Sequence, residues 1–201
     1  EQIDELSTHL IPGTVLYCET PANPTLRLLD LKALANIAHQ HQALLVVDNT
    51  FATPINQQPL TLGADIVIHS ASKYLGGHSD LTAGAVMASQ ALIEPIAAWR
   101  KNLGQMIAPD TAALLSRSLR TLPLRMKAHN NNALALAQAM QQHPKISRVL
   151  YPGLPSNPDY KLACSQMSGF GGMVTIEIKG GRHAAETVAN NLKIFLLATS
   201  L

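Results

Sequence analysis

The sequence predicts an α/β fold built on a mostly parallel sheet, and three observations carry that prediction. Ala43-Leu44-Leu45-Val46-Val47 and Ala64-Asp65-Ile66-Val67-Ile68 are apolar runs without the in-out alternation of a half-exposed strand, as expected of strands buried on both faces. An amphipathic stretch precedes the first run, and a short helical stretch lies between the two. The resulting order of strand, helix, strand, short helix, strand is the α/β pattern.

The elements follow in turn. Thr14 to Cys18 is a short β-branched and apolar strand, which Glu19-Thr20-Pro21-Ala22-Asn23-Pro24 breaks twice with proline. Asp30 is placed to cap a helix in which Leu31, Leu34, Ile37 and Ala38 recur at helical spacing. The two apolar strands come next and end in Asp48-Asn49 and His69-Ser70. Ala83 to Met87 adds a strand, and Ala91 to Met106 and Thr111 to Gln142 read as helical, the latter interrupted at Pro123. Leu114, Leu115 and Leu119 are read as helix packing and Trp99 as a core or interface residue. Beyond Pro144 come a strand at Ile146 to Tyr151, a Pro- and Gly-rich loop, alternating Met173 to Ile178, a helix from His183 and a last apolar run at Ile194 to Leu197. This reads as the start of a smaller α+β domain. The boundary is expected between Pro123 and Pro144, giving a large domain over 1–125 and a second over 126–201.

Composition narrows the function classes. With 201 residues, 47% hydrophobic, 14% charged and a net charge of +2, the chain can fill a core and has no electrostatic footprint for nucleic acid or anionic lipid. No apolar stretch reaches the roughly 18 residues of a membrane span, and no basic-then-apolar leader opens the chain. A cytoplasmic protein acting on small molecules is expected. Cys18 and Cys164 form no CxxC, and Cys18 reads as a buried strand residue rather than a reactive thiol. His39 and His41 point to different helix faces, so no metal site is expected. The start at Glu1 and the stop at Leu201 directly after an apolar run read as a fragment cut at both ends.

Ligands in parallel α/β sheets gather outside the carboxyl ends of the strands. Three polar clusters fall at such ends: Glu19 to Asn23, Asp48-Asn49, and His69 to Lys73. A pyridoxal-5′-phosphate (PLP) site needs a lysine amine for an imine, a carboxylate for the pyridine nitrogen and hydroxyls around the phosphate. Lys73, Asp48, Ser70 and Ser72 supply those types.

Val46-Val47-Asp48-Asn49-Thr50-Phe51, followed by His69-Ser70-Ala71-Ser72-Lys73-Tyr74-Leu75-Gly76-Gly77-His78-Ser79-Asp80, resembles the PLP-dependent trans-sulfuration enzymes. These are the cystathionine γ-synthases, cystathionine lyases and methionine γ-lyases. The segments at 19–24, 119–126, 149–154, 169–173 and the closing Ala198-Thr199-Ser200-Leu201 extend the resemblance along essentially the whole chain. It implies the fold-type I, aspartate-aminotransferase-like PLP-dependent transferase fold and a homotetramer. Lys73 would be the Schiff-base lysine and a proton carrier, and Asp48 the partner of the pyridinium nitrogen. Ser70 and Ser72 would bind the phosphate, Ser72 standing where Thr is common. Asn23 would lie near the ring hydroxyl and the substrate carboxylate, and Ser200 at the carboxylate edge of the pocket. The implied activity is γ-replacement or γ-elimination on O-activated homoserine or cystathionine, with cystathionine β-lyase or methionine γ-lyase as alternatives. Thr199 stands where several γ-synthases and γ-lyases carry Glu, which leaves the reaction type open.

Two readings of other classes compete. Ser70-Ala71-Ser72-Lys73 also matches the S-x-x-K motif of serine acyl-transferring enzymes, but Ser79-Asp80-Leu81 lies too close to serve as their S-D-N. A non-catalytic scaffold would keep the fold and lose the chemistry, which the intact Lys73 and Asp48 argue against. His78 has no role assigned from sequence.

Overall fold

The structure is a computed structural model, and it describes residues 5–198. A four-stranded sheet has the order β1-β2-β3-β4: β1 (Val15–Glu19), β2 (Leu44–Asp48), β3 (Ile66–Ser70) and β4 (Gly84–Ala88). The first three are parallel and β4 is antiparallel to β3. The expected mostly parallel sheet is therefore present, with an antiparallel edge on the side of the fourth strand.

Helix α1 (Leu31–Gln40) starts where its cap predicts, with Asp30 Oδ1 accepting from the Ala33 N–H at 3.0 Å. Its buried stripe of Leu31, Leu34, Ala35 and Ala38 packs on Leu45, Val47 and Val67 of one sheet face. Because side chains alternate along a strand, Tyr17, Glu19, Asp48 and Ser70 share the opposite face. The same alternation puts His69 on the α1 side. Asp65 Oδ2 ties helix to sheet, accepting from the Leu45 N–H at 2.7 Å and pairing with His39 Nε2 at 3.0 Å.

Cys18 sits on β1 among the partly buried residues packed against that core, as expected for a strand thiol. Burial pushes it up to about 11, because a thiolate in apolar surroundings loses its hydration. The folded state thus holds the proton that the unfolded chain releases near pH 8.5, and stability contributed by the neutral thiol is lost as pH rises from that value toward 11. Alkylation at pH 8 is accordingly expected at exposed Cys164 first, with Cys18 reacting appreciably only at strongly alkaline pH. Peptide mass spectrometry after timed iodoacetamide treatment checks this.

Two short helical pieces, α2 (Thr53–Asn56) and a 3-10 turn Pro59–Leu62, fill the β2–β3 connection, and a π-helical turn Ala71–Leu75 follows β3 directly. Helices α3 (Gln90–Asn102), α4 (Pro109–Leu119) and α5 (Leu122–Gln141) come next. Pro123 lies in the first turn of α5, where its missing N–H costs nothing, so it opens a helix. Of the helical leucines, Leu115 packs against a core cluster, while Leu119 is exposed, as is Trp99. Trp99 is thus no core residue.

A second, two-stranded antiparallel sheet pairs β5 (Ile146–Leu150) with β6 (Thr175–Ile178). The loop between them holds α6 (Tyr160–Gln166), which the Pro- and Gly-rich composition hides, and α7 (Gly181–Asn191) closes the order. Helix α5 runs unbroken across positions 125 and 126 and links the two sheets. The Ile194 to Leu197 run forms no regular element, and its side chains are exposed. Among the described residues no helix is long and apolar enough to cross a membrane.

Candidate active site

The carboxyl ends of β1, β2 and β3 lie side by side, with Glu19 in register with Asp48 and Asp48 with Ile68. The polar clusters that end these strands are thereby gathered along one sheet edge. Asp48 Oδ1 accepts from the Thr50 N–H at 3.0 Å and from the Thr50 hydroxyl at 2.6 Å, while Oδ2 accepts from Tyr17 Oη at 3.3 Å. Thr50 Oγ1 in turn accepts from the Ser70 N–H at 2.8 Å. One buried hydroxyl thus joins the carboxylate at the end of β2 to the last residue of β3.

Lys73 follows three residues later, half-buried within the π-helical turn. The backbone leaves helical geometry at Lys73 itself (φ −92°, ψ −124°). The Gly76 N–H donates to Ala71 O at 2.8 Å and the Gly77 N–H to Lys73 O at 2.7 Å, so the turn closes tightly around the lysine. Ser72 is held against the start of β4: its hydroxyl donates to Ala83 O at 3.3 Å and accepts from the Ala83 N–H at 3.0 Å. Asn23 sits exposed on the loop after β1, its N–H donating to Glu19 Oε1 at 3.2 Å. Both peptide bonds preceding the prolines of that loop, Thr20-Pro21 and Asn23-Pro24, are cis. Asp48, Ser70, Ser72 and Lys73 are therefore brought together, and Asn23 lies on the neighbouring strand's exit. Ser200 and Thr199 lie outside the described residues.

Behind this edge, on the α1 face, is a buried polar layer. Asn49 Nδ2 donates to Thr20 O at 2.8 Å and to Gln57 Oε1 at 2.7 Å. Asn49 Oδ1, Gln57 Nε2 and His69 Nδ1 have no hydrogen-bond partner among the described residues. Burial lowers the pKa of the His69 imidazole, against a smaller upward pull from Asp48, so burial favours its neutral form. Stability from the neutral ring is lost as pH falls below 6.5, because the unfolded histidine binds the proton first.

Sequence reading missed two contributors. Thr50 was visible within the Asp48 motif, but a threonine after a strand reads as a turn residue until its bridge is seen. Arg125, within the 119–126 segment, donates from Nη1 to the carbonyl of Tyr74, the residue after Lys73, at 2.7 Å, whereas a helical arginine is ordinarily solvated. His78, unassigned from sequence, sits with Nδ1 2.7 Å from Gly76 O and 3.4 Å from Ser118 Oγ, so it shapes the loop after the lysine.

Replacing Thr50 by valine keeps the side chain's shape and removes the bridge. It leaves the Ser70 N–H and Asp48 Oδ1 each one partner short, at a cost of about 1–3 kcal/mol. Differential scanning calorimetry should record a lower Tm, at about 2–4 °C per kcal/mol for a chain of this size.

The family model of Cys/Met metabolism PLP-dependent enzymes matches residues 1–201. The chain belongs to this family. Among its relatives, the cystathionine gamma-synthase of Mycobacterium tuberculosis (strain H37Rv) is 44% identical over 201 residues, covering 99% of this chain and 52% of that protein. The L-methionine gamma-lyase of Pseudomonas deceptionensis is 48% identical, covering 98% and 50%. The crystal structure of cystathionine gamma-lyase from Lactobacillus plantarum, complexed with L-serine, superposes with a TM-score of 0.94 at 42% identity, covering 99% of this chain and 52% of that one. The chain thus spans about half the length of the curated relatives it matches.

The family is PLP-dependent, and the donor set fits that group. A primary amine, two hydroxyls and an acceptor-only carboxylate are held at one sheet edge, and the carboxylate's Oδ2 is less committed than its Oδ1. The S-x-x-K reading does not fit. Ser70 ends a strand and precedes a five-residue turn, with no long helix opening at the serine, and the family is a different one. A 910 Å³ apolar cavity lined by Leu136, Met140, Val174, Ile176, Val188 and Phe195 lies in the second sheet's layer and contains none of these residues.

Proposed function

We propose that the protein is a PLP-dependent trans-sulfuration enzyme, catalysing γ-replacement or γ-elimination on O-activated homoserine or cystathionine. The observation that carries this reading is the Asp48–Thr50–Ser70 bridge, which holds a carboxylate and the lysine-bearing turn at the exits of adjacent parallel strands. When bound, PLP supplies an electron sink that delocalises negative charge developing on the substrate carbons. In this reading Lys73 Nζ would hold the cofactor and would take and return protons at the substrate Cα. Asp48 Oδ2 would accept from the pyridine N–H. The Ser70 and Ser72 hydroxyls would donate to the phosphate, Ser72 giving up its long bond to Ala83 O and keeping the Ala83 N–H as its donor. Asn23 would orient the ring hydroxyl and the substrate carboxylate, and Ser200 is proposed as a further substrate-binding residue.

Loss of the γ-substituent is common to the synthase and γ-lyase outcomes, and relatives with both kinds of name match at 44–48% identity. The same reading places the enzyme in the cytoplasm, with a large cofactor-binding domain over 1–125 and a second domain from 126. It also makes the enzyme a homotetramer. Exposed Trp99, Leu103, Met106 and Leu124 support burial between subunits.

Borohydride reduction of the full-length holoenzyme, followed by peptide mass spectrometry, tests the assignment: the pyridoxyl label is expected on Lys73, and a label on another lysine overturns it. Incubation with O-succinylhomoserine plus cysteine, and separately with cystathionine, then distinguishes synthase from lyase. Cystathionine accumulates in the first case, and 2-oxobutanoate with ammonia in the second.

A further inference from the structure

We propose that Arg125 is a positioning residue for Lys73, gripping the turn that carries the lysine by its main-chain carbonyls from helix α5. Nη1 donates to Tyr74 O at 2.7 Å, and Nη2 donates to Ser118 O at 3.0 Å and to Leu75 O at 3.4 Å. Nε donates to Thr121 Oγ1 at 3.1 Å, which fixes the plane of the fork from the residue that caps its own helix. Two of the three carbonyls belong to the residues immediately after Lys73.

Those carbonyls close a short helical turn, where acceptors are left without intrahelical donors. A planar guanidinium presents donors in fixed directions and can serve several carbonyls at once, whereas an ammonium is a point charge on a flexible stem. The residues around the fork are arranged for it. Gly77 has φ +72°, and a Cβ there would run into the Arg125 guanidinium, so glycine is required on both counts. One turn along α5, His129 packs edge-on against the Tyr74 ring, with centroids 5.1 Å apart and planes at 79°. Arg125 and His129 thus hold the main chain and the side chain of the residue following Lys73. The further-along Asn130 fastens the same helix to the first sheet's α2, through two amide–amide bonds with Asn56 at 3.0 and 2.8 Å.

A lysine that must reach first the cofactor and then the substrate Cα acts only within a narrow range of positions, because small displacements in such a site cost large factors in rate. Nothing about Arg125 requires it to touch the cofactor or substrate. Its effect runs through the Tyr74 and Leu75 carbonyls to the backbone of Lys73. This inference rests on the proposed role of Lys73.

The test uses the full-length holoenzyme with Arg125→Gln and Arg125→Lys. Both are to be measured by far-ultraviolet circular dichroism, by visible circular dichroism of the bound cofactor, which reports its orientation, and by steady-state kinetics at saturating PLP. The expected result for Arg125→Gln is retained far-ultraviolet signal, an altered visible band, and kcat lowered about 10–100-fold with KM changed less than about threefold. Arg125→Lys should recover part of kcat, and added guanidinium ion at tens of millimolar should recover part of it in Arg125→Gln. If Arg125→Gln does not fold, Arg125→Lys, which keeps the charge and loses the planar fork, should show the same altered band and a smaller kcat loss. An unchanged visible band and kcat at saturating PLP in a folded variant overturn the inference, as does an activity loss that appears only at subsaturating PLP. Borohydride labelling of the unmodified protein separates the two claims. A label away from Lys73 refutes the proposed site, and a label on Lys73 with normal Arg125 variants refutes only the positioning role.

Discussion

Lys73→Ala is expected to lower kcat/KM by at least about 10³-fold while leaving the chain folded. The magnitude follows from the two tasks the proposal gives to one amine. Proton transfer by a positioned group is worth about 10²–10⁴ in rate, and loss of the covalent link to the cofactor adds to that. The small effect on folding follows from position. Lys73 is half-buried in a turn whose closure depends on main-chain bonds, Gly76 N–H to Ala71 O and Gly77 N–H to Lys73 O, neither of which involves its side chain. Added methylamine should restore a few per cent of the lost rate if the amine's chemistry is what is missing. A variant with normal turnover, or one that loses activity only in step with its Tm, would contradict the assignment.

The parts of the site legible in sequence are those fixed by local pattern. The Asp30 cap, the α1 stripe and the apolar β2 and β3 runs are governed by spacing and burial, so they emerged within a residue or two of the observed bounds. From them follows the placement of Asp48 and Ser70, because a parallel sheet puts its strand exits along one edge. What the spacing could not convey is long-range. The Thr50 bridge needs the register between β2 and β3, and the Arg125 fork needs the packing of α5 against a turn some 50 residues earlier, its bond to Tyr74 O spanning 51 positions. The antiparallel direction of β4 was equally invisible, since Gly84–Ala88 is short and apolar in either orientation. Helix α6 was obscured because its seven residues stand among prolines and glycines whose turn signal dominates any window around them.

Asp48→Asn separates the fold of the site from its chemistry, and its expected effect is a fall in kcat of about 10²–10³-fold with Tm changed by only a few degrees. The amide can keep what the carboxylate does structurally. Its Oδ1 still accepts from the Thr50 N–H and hydroxyl, so the bridge onward to the Ser70 N–H survives. At the other atom the amide presents donors where Asp48 Oδ2 accepts, and a donor cannot receive the pyridine N–H. The loss is therefore of an interaction that strengthens as charge develops in the transition state, the kind whose removal costs about 10²–10³ in kcat. Asp48→Ala must lose more. It strips Thr50 of its acceptor as well, which adds about 1–3 kcal/mol of destabilisation and couples the variant to Thr50→Val. A double-mutant cycle between those two positions should show strong non-additivity in stability, because both changes break one bridge. Asp48→Asn combined with Thr50→Val should be nearly additive in kcat, because the first acts through Oδ2 and the second through Oδ1. Strong coupling in that second cycle would mean that the carboxylate acts as a unit, and the division of labour between its two oxygens would be wrong.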